Sequence, residues 1–275
     1  MFKVAISAGH YLYTIKHCVK ELDPNETREW VLNDRIADKL EKLLAKYEGI
    51  AVLRLDDTNG KKAVSNEKRA QLANDWGADL YLAIHHNAAF SGEKTFSGGG
   101  IVAFIHNKNA KPGAAEWQKA FYDASIKHTG LKGNRATPLA KAALYECGAP
   151  NCPAVLMECG FMDSTVDVPI ILSDEFASNM AKAFAEVIVK RSGAVKKDTT
   201  GTFGEAVVTL PILGFNSRGE AVRMLQSLLN AHGASLSVDG SYGPATKKAV
   251  IAFQIENNLE ADGYCGPVTW SAVLT

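Results

Sequence analysis

The sequence predicts an α/β fold with a largely parallel sheet flanked by helices, followed by a small all-α domain of three helices. Two observations lead to this prediction. Short apolar runs of strand length alternate with stretches of helical periodicity in the N-terminal part, and an internal repeat between helices replaces that pattern near the C-terminus. Strands interleaved with helices are typical of parallel sheets, because each parallel connection has to cross the sheet. A length of 275 residues suits one large domain or two unequal ones.

The predicted strands are apolar runs that end at polar or small residues. They lie at residues 2–7, 50–55, 79–85, 100–105 and 154–158. Helical periodicity falls between most of them, at residues 24–46, 65–76, 114–129 and 174–191. The first helix has the clearest predicted start, since Asp23 can cap it, Pro24 suits its first position and Glu26 completes a capping-box spacing.

Two domains joined by a linker are predicted from the change in pattern. We assign residues 1–192 to the N-terminal domain, 193–212 to the linker and 213–275 to the C-terminal domain. The linker is polar and has no periodicity. In the C-terminal domain the pattern Asp-Gly-x-x-Gly-Pro-x-Thr occurs at residues 239–246 and again at 262–269. Each copy is a turn that leads into a helix, so three short helices with their own core are expected.

Charge and hydropathy exclude several classes of protein. Lys+Arg and Asp+Glu both number 30, and this zero balance gives no support to nucleic-acid binding, which needs a basic excess. No apolar stretch is long enough for membrane insertion. The N-terminus reads as a strand and not as a signal peptide, so we expect a protein made in the cytoplasm. The five cysteines are expected to be free thiols, and no pattern indicates an obligate protein partner.

Four polar residues are expected to meet at one edge of the sheet. His10, His85 and Glu158 lie at the ends of predicted strands, and Glu29 opens the first helix. Ligands bind beyond the carboxyl ends of strands in open α/β sheets. Two histidines and one glutamate make a three-ligand set for catalytic zinc, and a further glutamate can transfer protons.

Ordinary structural roles remain open for the same residues when each is taken alone. A histidine at a strand end is commonly hydrogen-bonded or exposed to solvent. His85 and His86 are strand neighbours that point to opposite faces, so only one of them can face a site. Glu158 could pair with Arg69, and the spacing of the four residues forms no local metal motif. Asn87 could orient a substrate, although an Asn at a strand end is also a common turn residue.

Four motifs occur together and in order: Ala-Gly-His ending at His10, Glu29 followed four residues later by Asn33, Ala-Asp-Leu-Tyr-Leu-Ala-Ile-His-His-Asn-Ala at residues 78–88, and Pro-Ala-Val-Leu-Met-Glu-Cys-Gly-Phe-Met at 153–162. On these motifs the N-terminal domain resembles the zinc-dependent N-acetylmuramoyl-L-alanine amidases of the type 3 family. The segment that follows the first ligand departs from the glycine-rich sequence common in that family.

The resemblance implies a function and a role for each matched residue. It implies that His10, Glu29 and His85 bind Zn²⁺ and that Glu158 is catalytic, while His86 is a neighbour and not a ligand. The expected reaction is cleavage of the amide bond between N-acetylmuramic acid and the L-alanine of the stem peptide. The C-terminal domain resembles a peptidoglycan-binding module with two internal repeats, which implies attachment to the cell wall.

The whole build resembles a phage endolysin that reaches the wall after release from the cytoplasm. A bacterial autolysin or a prophage remnant of the same build stays open as the origin, and two alternatives stay open for the activity. One is a zinc peptidase that cuts the stem peptide, since both reactions use the same metal centre. The other is a non-catalytic protein that binds the cell wall.

Overall fold

The computed structural model of the chain describes residues 1–90, 94–197 and 210–274. The chain divides into two compact units, Met1–Asp198 and Thr199–Thr275. Residues 198–209 of the predicted linker lie outside the described residues, as does the last residue of the predicted C-terminal domain. The linker therefore stays a prediction.

Strands and helices alternate through most of the first unit, as the sequence predicts. Its elements in chain order are β1 (Phe2–Ala8), α1 (Glu29–Leu44), β2 (Tyr47–Glu48), β3 (Ile50–Arg54), α2 (Asn66–Trp76), β4 (Leu80–Asn87), β5 (Val102–His106), α3 (Ala114–Thr129), β6 (Leu139–Ala142), α4 (Tyr145–Gly148), β7 (Ala154–Phe161), α5 (Val168–Ile171), α6 (Asp174–Ser192) and β8 (Val195–Lys196).

Six of these strands form one sheet in the order β3-β1-β4-β7-β5-β6. All neighbours pair in parallel except β5 and β7, which are antiparallel. The two shortest strands, β2 and β8, form a separate antiparallel pair. The predicted α/β fold with a largely parallel sheet flanked by helices is confirmed.

The two faces of the sheet carry different parts of the core. Alternate residues of β1, β4 and β7, such as Ile6, Leu82 and Met157, join the large cluster that also includes α1, α3 and α6. The residues between them, such as Tyr81 and Leu156, join a smaller cluster on the opposite face with α2 and α4. This alternation follows from the two-residue period of a strand, and it decides which side chains at the sheet edge can meet.

The first helix begins five residues later than the sequence predicts, at Glu29 instead of Pro24. Asp23 does accept hydrogen bonds from backbone N–H groups, those of Asn25 (3.1 Å) and Thr27 (2.7 Å), but within a loop. Glu26 has a φ of 48°, in the left-handed region, so it cannot be the third residue of a helix. The predicted capping box is therefore wrong, and Glu29 is the first residue of α1.

The second unit contains the three predicted helices, α7 (Glu220–Ala231), α8 (Pro244–Glu256) and α9 (Pro267–Val273). They enclose their own hydrophobic core, which includes Leu225, Tyr242 and Trp270. The prediction of a small helical domain in this region is confirmed.

Each copy of the internal repeat in the second unit is held by a buried glutamine that the sequence pattern does not reveal. The side-chain amide of Gln226 donates to Asp239 and to Thr246, and its Oε1 accepts from the backbone N–H of Gly240. Gln254 makes the same three kinds of contact in the second copy, with Asp262, Thr269 and Gly263.

Among the helices in the described parts of both units, not one combines the length and apolar character that crossing a membrane requires.

Candidate metal centre and catalytic carboxylate

His10, Glu29 and His85 meet at the carboxyl edge of the sheet. Each offers a ligand atom that lies within 4.8 Å of the other two. His10 Nε2 is 3.1 Å from Glu29 Oε2, and His85 Nδ1 is 3.0 Å from Glu29 Oε1. The structure thus brings together the three residues that the sequence singles out as ligands, from β4, from the start of α1 and from the residues after β1.

His10 has a backbone conformation that few residues adopt. Its φ is 66°, in the left-handed region, where a non-glycine residue is uncommon and costs free energy. The buried Arg69 guanidinium holds this turn, since it donates to the carbonyl oxygens of Ala8 (2.6 Å) and His10 (2.8 Å). The sequence left Arg69 as a possible partner of Glu158. In the structure, Arg69 instead binds the backbone at the end of β1.

Gly9 makes room for the His85 ring. The left-handed residue is His10, and Gly9 itself has no positive φ. A Cβ atom added at Gly9 would lie 2.1 Å from Cε1 and 2.4 Å from Nδ1 of His85. The backbone of Gly9 therefore packs directly against the imidazole of His85.

Glu29 is held in place by contacts from α1 and β4. Glu29 Oε1 accepts hydrogen bonds from the backbone N–H of His86 (3.1 Å) and from the side-chain amide of Asn33 (3.4 Å). The His86 ring points away from His85 and lies 2.8 Å from Asn33 Oδ1. His86 is thus not part of the His10–Glu29–His85 cluster, as the alternation of strand side chains predicts.

The charges of the cluster stabilise one another. Burial alone would raise the pKa of the Glu29 carboxyl, but the adjacent imidazoles of His10 and His85 hold that pKa well below its usual value. Burial alone would lower the pKa of His85, but its hydrogen bonds to Glu146 and Glu29 raise it to about 10. An ionised carboxylate together with the two imidazoles forms a strong set of ligands for a divalent cation.

One buried atom has no hydrogen-bond partner where such a cation would be expected. Glu29 Oε2 is buried and makes no hydrogen bond, although it faces His10 Nε2 at 3.1 Å. A buried charged oxygen without a partner costs free energy unless a cation binds it. The His-Glu-His set therefore fits zinc both by the chemistry of its donors and by this unsatisfied oxygen.

Glu158 lies beside His85 in the sheet. The two residues are direct partners in the register of β4 and β7, so both side chains stand on the same face. Burial raises the pKa of Glu158 to about 7, although the nearby His85 lowers it in part. One of its oxygens, Oε2, is buried and has no hydrogen-bond partner. A carboxyl group with such a pKa can both accept and donate a proton near neutral pH.

Asn87 ends β4 and uses its side chain locally. Its Oδ1 accepts a hydrogen bond from the backbone N–H of the next residue, Ala88, at 2.8 Å. Its backbone carbonyl accepts from the N–H of Met162 at 2.8 Å. These contacts are those of a residue that shapes a turn, and a role in substrate binding stays a prediction.

Glu146 is a residue of this region that the sequence does not single out. It is 3% exposed, and its Oε2 lies 3.1 Å from His85 Nε2. No strand end, helix start or spacing draws attention to it, because it lies in the four-residue helix α4. An acidic residue in the segment that leads to the apolar run of β7 is a weak signal in the sequence.

Two family models match the chain. Residues 4–190 match the model for N-acetylmuramoyl-L-alanine amidase, which is more than half of the chain. Residues 218–273 match the model for a putative peptidoglycan binding domain.

Relatives with similar sequences include enzymes of bacterial and phage origin. The chain is 26% identical over 208 residues to the sporulation-specific N-acetylmuramoyl-L-alanine amidase of Bacillus subtilis (strain 168), covering 74% of this chain and 73% of the relative. It is 26% identical over 185 residues to the endolysin of Bacillus phage SPP1, covering 64% of this chain and 65% of the relative. A stretch of 64 residues is 47% identical to the zinc D-Ala-D-Ala carboxypeptidase of Streptomyces albus G, but it spans 22% of this chain and a quarter (25%) of that relative.

A similar fold occurs in the solved N-acetylmuramoyl-L-alanine amidase from Clostridium difficile 630. The TM-score is 0.60 at 24% sequence identity, over 69% of this chain and 95% of the other. At this identity the likeness concerns the fold.

Proposed function

Because the chain belongs to the N-acetylmuramoyl-L-alanine amidase family, we propose that it hydrolyses the amide bond between N-acetylmuramic acid and the L-alanine of the stem peptide in peptidoglycan. One observation assigns the proposed reaction to particular residues. Glu158 stands beside His85 in the sheet register, and His85 belongs to the three-residue donor cluster. A proton-transferring carboxyl group next to a cation site is what metal-assisted amide hydrolysis requires.

In this proposal, His10, Glu29 and His85 hold Zn²⁺. Zinc, when bound, polarises the substrate carbonyl and brings the pKa of a water molecule toward about 7. The donor set and the unsatisfied Glu29 Oε2 support this assignment. Three protein ligands would leave one coordination position for water or substrate, as is usual in catalytic zinc sites.

Glu158 moves the proton in the proposed reaction. Its carboxylate takes a proton from the attacking water as the oxygen adds to the carbonyl carbon. It then delivers that proton to the amide nitrogen as the C–N bond breaks, which leaves a free L-alanine amine and the lactyl carboxylic acid of muramic acid, and this acid ionises in water. A pKa of about 7 suits both steps at neutral pH. Asn87, at the end of the same strand as His85, would orient the substrate beside these groups.

The second unit would attach the enzyme to the cell wall. The family match over residues 218–273 supports this role, and so does the zero net charge of the chain. A protein without net charge has no bulk electrostatic attraction to an anionic wall, so a dedicated binding module has to supply the affinity.

We further propose that the protein acts as an endolysin. The likeness to the endolysin of Bacillus phage SPP1 supports this role. Expression in a susceptible bacterium should leave the cells intact until a membrane-permeabilising holin is co-expressed, and lysis should then follow quickly. Rapid lysis without the holin would contradict the endolysin role and leave the amidase activity standing.

The amidase reaction is tested with Glu158→Gln on purified peptidoglycan. We expect the variant to bind zinc and to lose about 10²–10⁴-fold in rate, the usual contribution of a general acid–base group. Glu175→Gln is the matched control, because Glu175 is exposed on α6 of the same unit, and it should keep full activity.

Analysis of the new amino groups separates the competing reactions. Free L-alanine amines with intact muramic acid identify the amidase, whereas new amines within the stem peptide identify a peptidase. Wall binding without any new amine identifies a non-catalytic binding protein. Near-normal hydrolysis by a folded, zinc-loaded Glu158→Gln protein would rule out the role of Glu158.

A further inference from the structure

The imidazole of His85 stands between two buried carboxylates. Its Nδ1 lies 3.0 Å from Glu29 Oε1, on the side of the donor cluster, and its Nε2 lies 3.1 Å from Glu146 Oε2, on the opposite side. Glu29 belongs to the donor cluster, whereas Glu146 does not. The two ring nitrogens of His85 therefore have different surroundings, and only Nδ1 faces His10 and Glu29.

Glu146 accepts hydrogen bonds from three side chains. Its Oε1 accepts from the hydroxyls of Ser7 and Tyr81, both at 2.7 Å, and its Oε2 faces His85 Nε2. Ser7 Oγ in turn accepts from Arg69 Nη1 at 2.6 Å, so its single hydrogen is free for Glu146. An ionised carboxylate can only accept, and the contact with His85 therefore requires a hydrogen on Nε2.

The fold explains why these groups meet. Ser7, Tyr81 and His85 stand on the same face of the sheet, because they occupy alternating positions on the neighbouring strands β1 and β4. The short helix α4 covers this face and supplies Glu146. The carboxylate is buried, so its three hydrogen-bond donors replace the water that it loses.

We propose that Glu146 is a positioning residue for the metal centre. By accepting the hydrogen of His85 Nε2, it turns the lone pair of Nδ1 toward Glu29 and His10, where zinc would bind. Histidines that ligate metals commonly donate their other ring N–H to a carboxylate, which fixes the tautomer and the ring orientation. This inference rests on the proposed function, since His85 has a ligand's role only if the site binds a metal.

The isosteric variant Glu146→Gln provides a sharp test. The hydroxyls of Ser7 and Tyr81 both donate to the Oε1 position, so the carbonyl oxygen of a glutamine is favoured there. Its NH₂ group would then face His85 Nε2, which would have to accept. The ring hydrogen would move to Nδ1 and point into the donor cluster, where it competes with zinc.

Zinc affinity of the full chain is the first measurement, made by competition with a chromogenic chelator. Glu146→Gln should weaken zinc binding roughly 10–100-fold, as changes in such outer residues usually do. The control is Tyr81→Phe, which removes one donor from the same carboxylate and keeps the acceptor for His85. It should bind zinc like the unmodified chain, and the thermal unfolding of both metal-free variants shows how far each change disturbs the fold.

Nitrogen-15 NMR of the zinc-loaded, unmodified chain tests the proposal without any variant. We expect zinc on Nδ1 of His85 and a hydrogen on Nε2. Zinc on Nε2, or equal zinc affinity in Glu146→Gln, would overturn the role of Glu146 while the proposed function stands. If the unmodified chain binds no zinc, the proposed metal centre fails, and the role of Glu146 fails with it.

Discussion

His85 and Glu158 face each other across neighbouring parallel strands, one residue before the ladder of β4 and β7 becomes irregular. The regular register ends at this pair, and Asn87 then pairs with Phe161, which marks a β-bulge. Bulges often occur next to active sites, where they redirect side chains. The sheet therefore holds both His85, the proposed zinc ligand, and Glu158, the proposed general acid–base group. Substitutions that disturb the packing of these two side chains should lower activity before they unfold the protein.

Gly9→Ala should disturb the metal centre by a purely steric effect. The new methyl group would overlap the His85 ring, with atoms closer than 2.6 Å, and the ring would have to move. We expect weaker zinc binding and lower amidase activity, measured by chelator competition and by release of L-alanine amines. Gly243→Ala is the control, because a Cβ atom there meets nothing within 4 Å. Unchanged zinc affinity in Gly9→Ala would show that the ring position does not matter.

Removal of the metal should abolish hydrolysis, because the proposed reaction needs the zinc that His10, Glu29 and His85 would hold. His10→Ala should retain no zinc after dialysis, and the chelated unmodified protein should regain activity when zinc is added. His128→Ala is the control, since His128 pairs with Glu186 on the surface. Full activity in excess chelator, with no metal detected, would exclude the metal mechanism.

Asp23→Asn should make the stability of the protein less dependent on acid pH. Burial alone would raise the pKa of Asp23, but hydrogen bonds from Thr27 and Asn25 hold that pKa below its usual value. The folded state thus binds this proton more weakly than the unfolded state, so the contribution of Asp23 is present above about pH 5 and is lost as the pH falls below about 4.

Urea unfolding of the unmodified protein and of Asp23→Asn at several pH values checks the direction of this pH dependence. At pH 7 the variant should be less stable by about 1–3 kcal/mol, because one acceptor oxygen is replaced by a donor that faces a backbone N–H. The difference should shrink at about pH 3. Asp75→Asn, at an exposed position, is the control. A gap that stays constant from pH 7 to about 3 would contradict the pKa argument.

The two glutamines of the internal repeat should contribute similarly to the stability of the second unit. Gln226→Ala and Gln254→Ala each leave buried turn groups without partners, at a cost of about 1–3 kcal/mol. The fluorescence of Trp270, with the other tryptophans replaced by phenylalanine, reports unfolding of this unit in the full chain. Ser227→Ala, exposed beside Gln226, should have little effect. A large effect at one glutamine alone would show that the two copies are not equivalent.

Deletion of the second unit, residues 199–275, should abolish binding to purified cell walls. The shortened protein should still cleave a small soluble muropeptide, because the donor cluster and Glu158 lie in the first unit. Co-sedimentation with walls measures binding, and amine release measures the reaction. Wall binding at the level of the full chain would contradict the proposed role of the second unit.

Local patterns in the sequence were sufficient for much of the fold and for the candidate residues of the site. Alternating strands and helices predicted the α/β class, because hydrophobic periodicity depends on near neighbours in the chain. His10, His85 and Glu158 could be found because each follows or ends an apolar run predicted as a strand, and Glu29 because it lies near the start of the predicted first helix. The start of α1 was predicted wrongly, since an Asp side chain accepts hydrogen bonds from backbone N–H groups in a loop as readily as at a helix end, and Asp23 does so in a loop.

What the sequence alone determined, therefore, is the class of fold, the division into two units and the edge of the sheet where the polar residues gather. Only the tertiary structure decided how those residues are oriented. The left-handed backbone of His10, the contact of Gly9 with the ring of His85 and the carboxylate of Glu146 behind that ring all join segments that are distant in the chain. Burial and hydrogen-bond pairing set these orientations, and both arise only when the strands and helices have packed together.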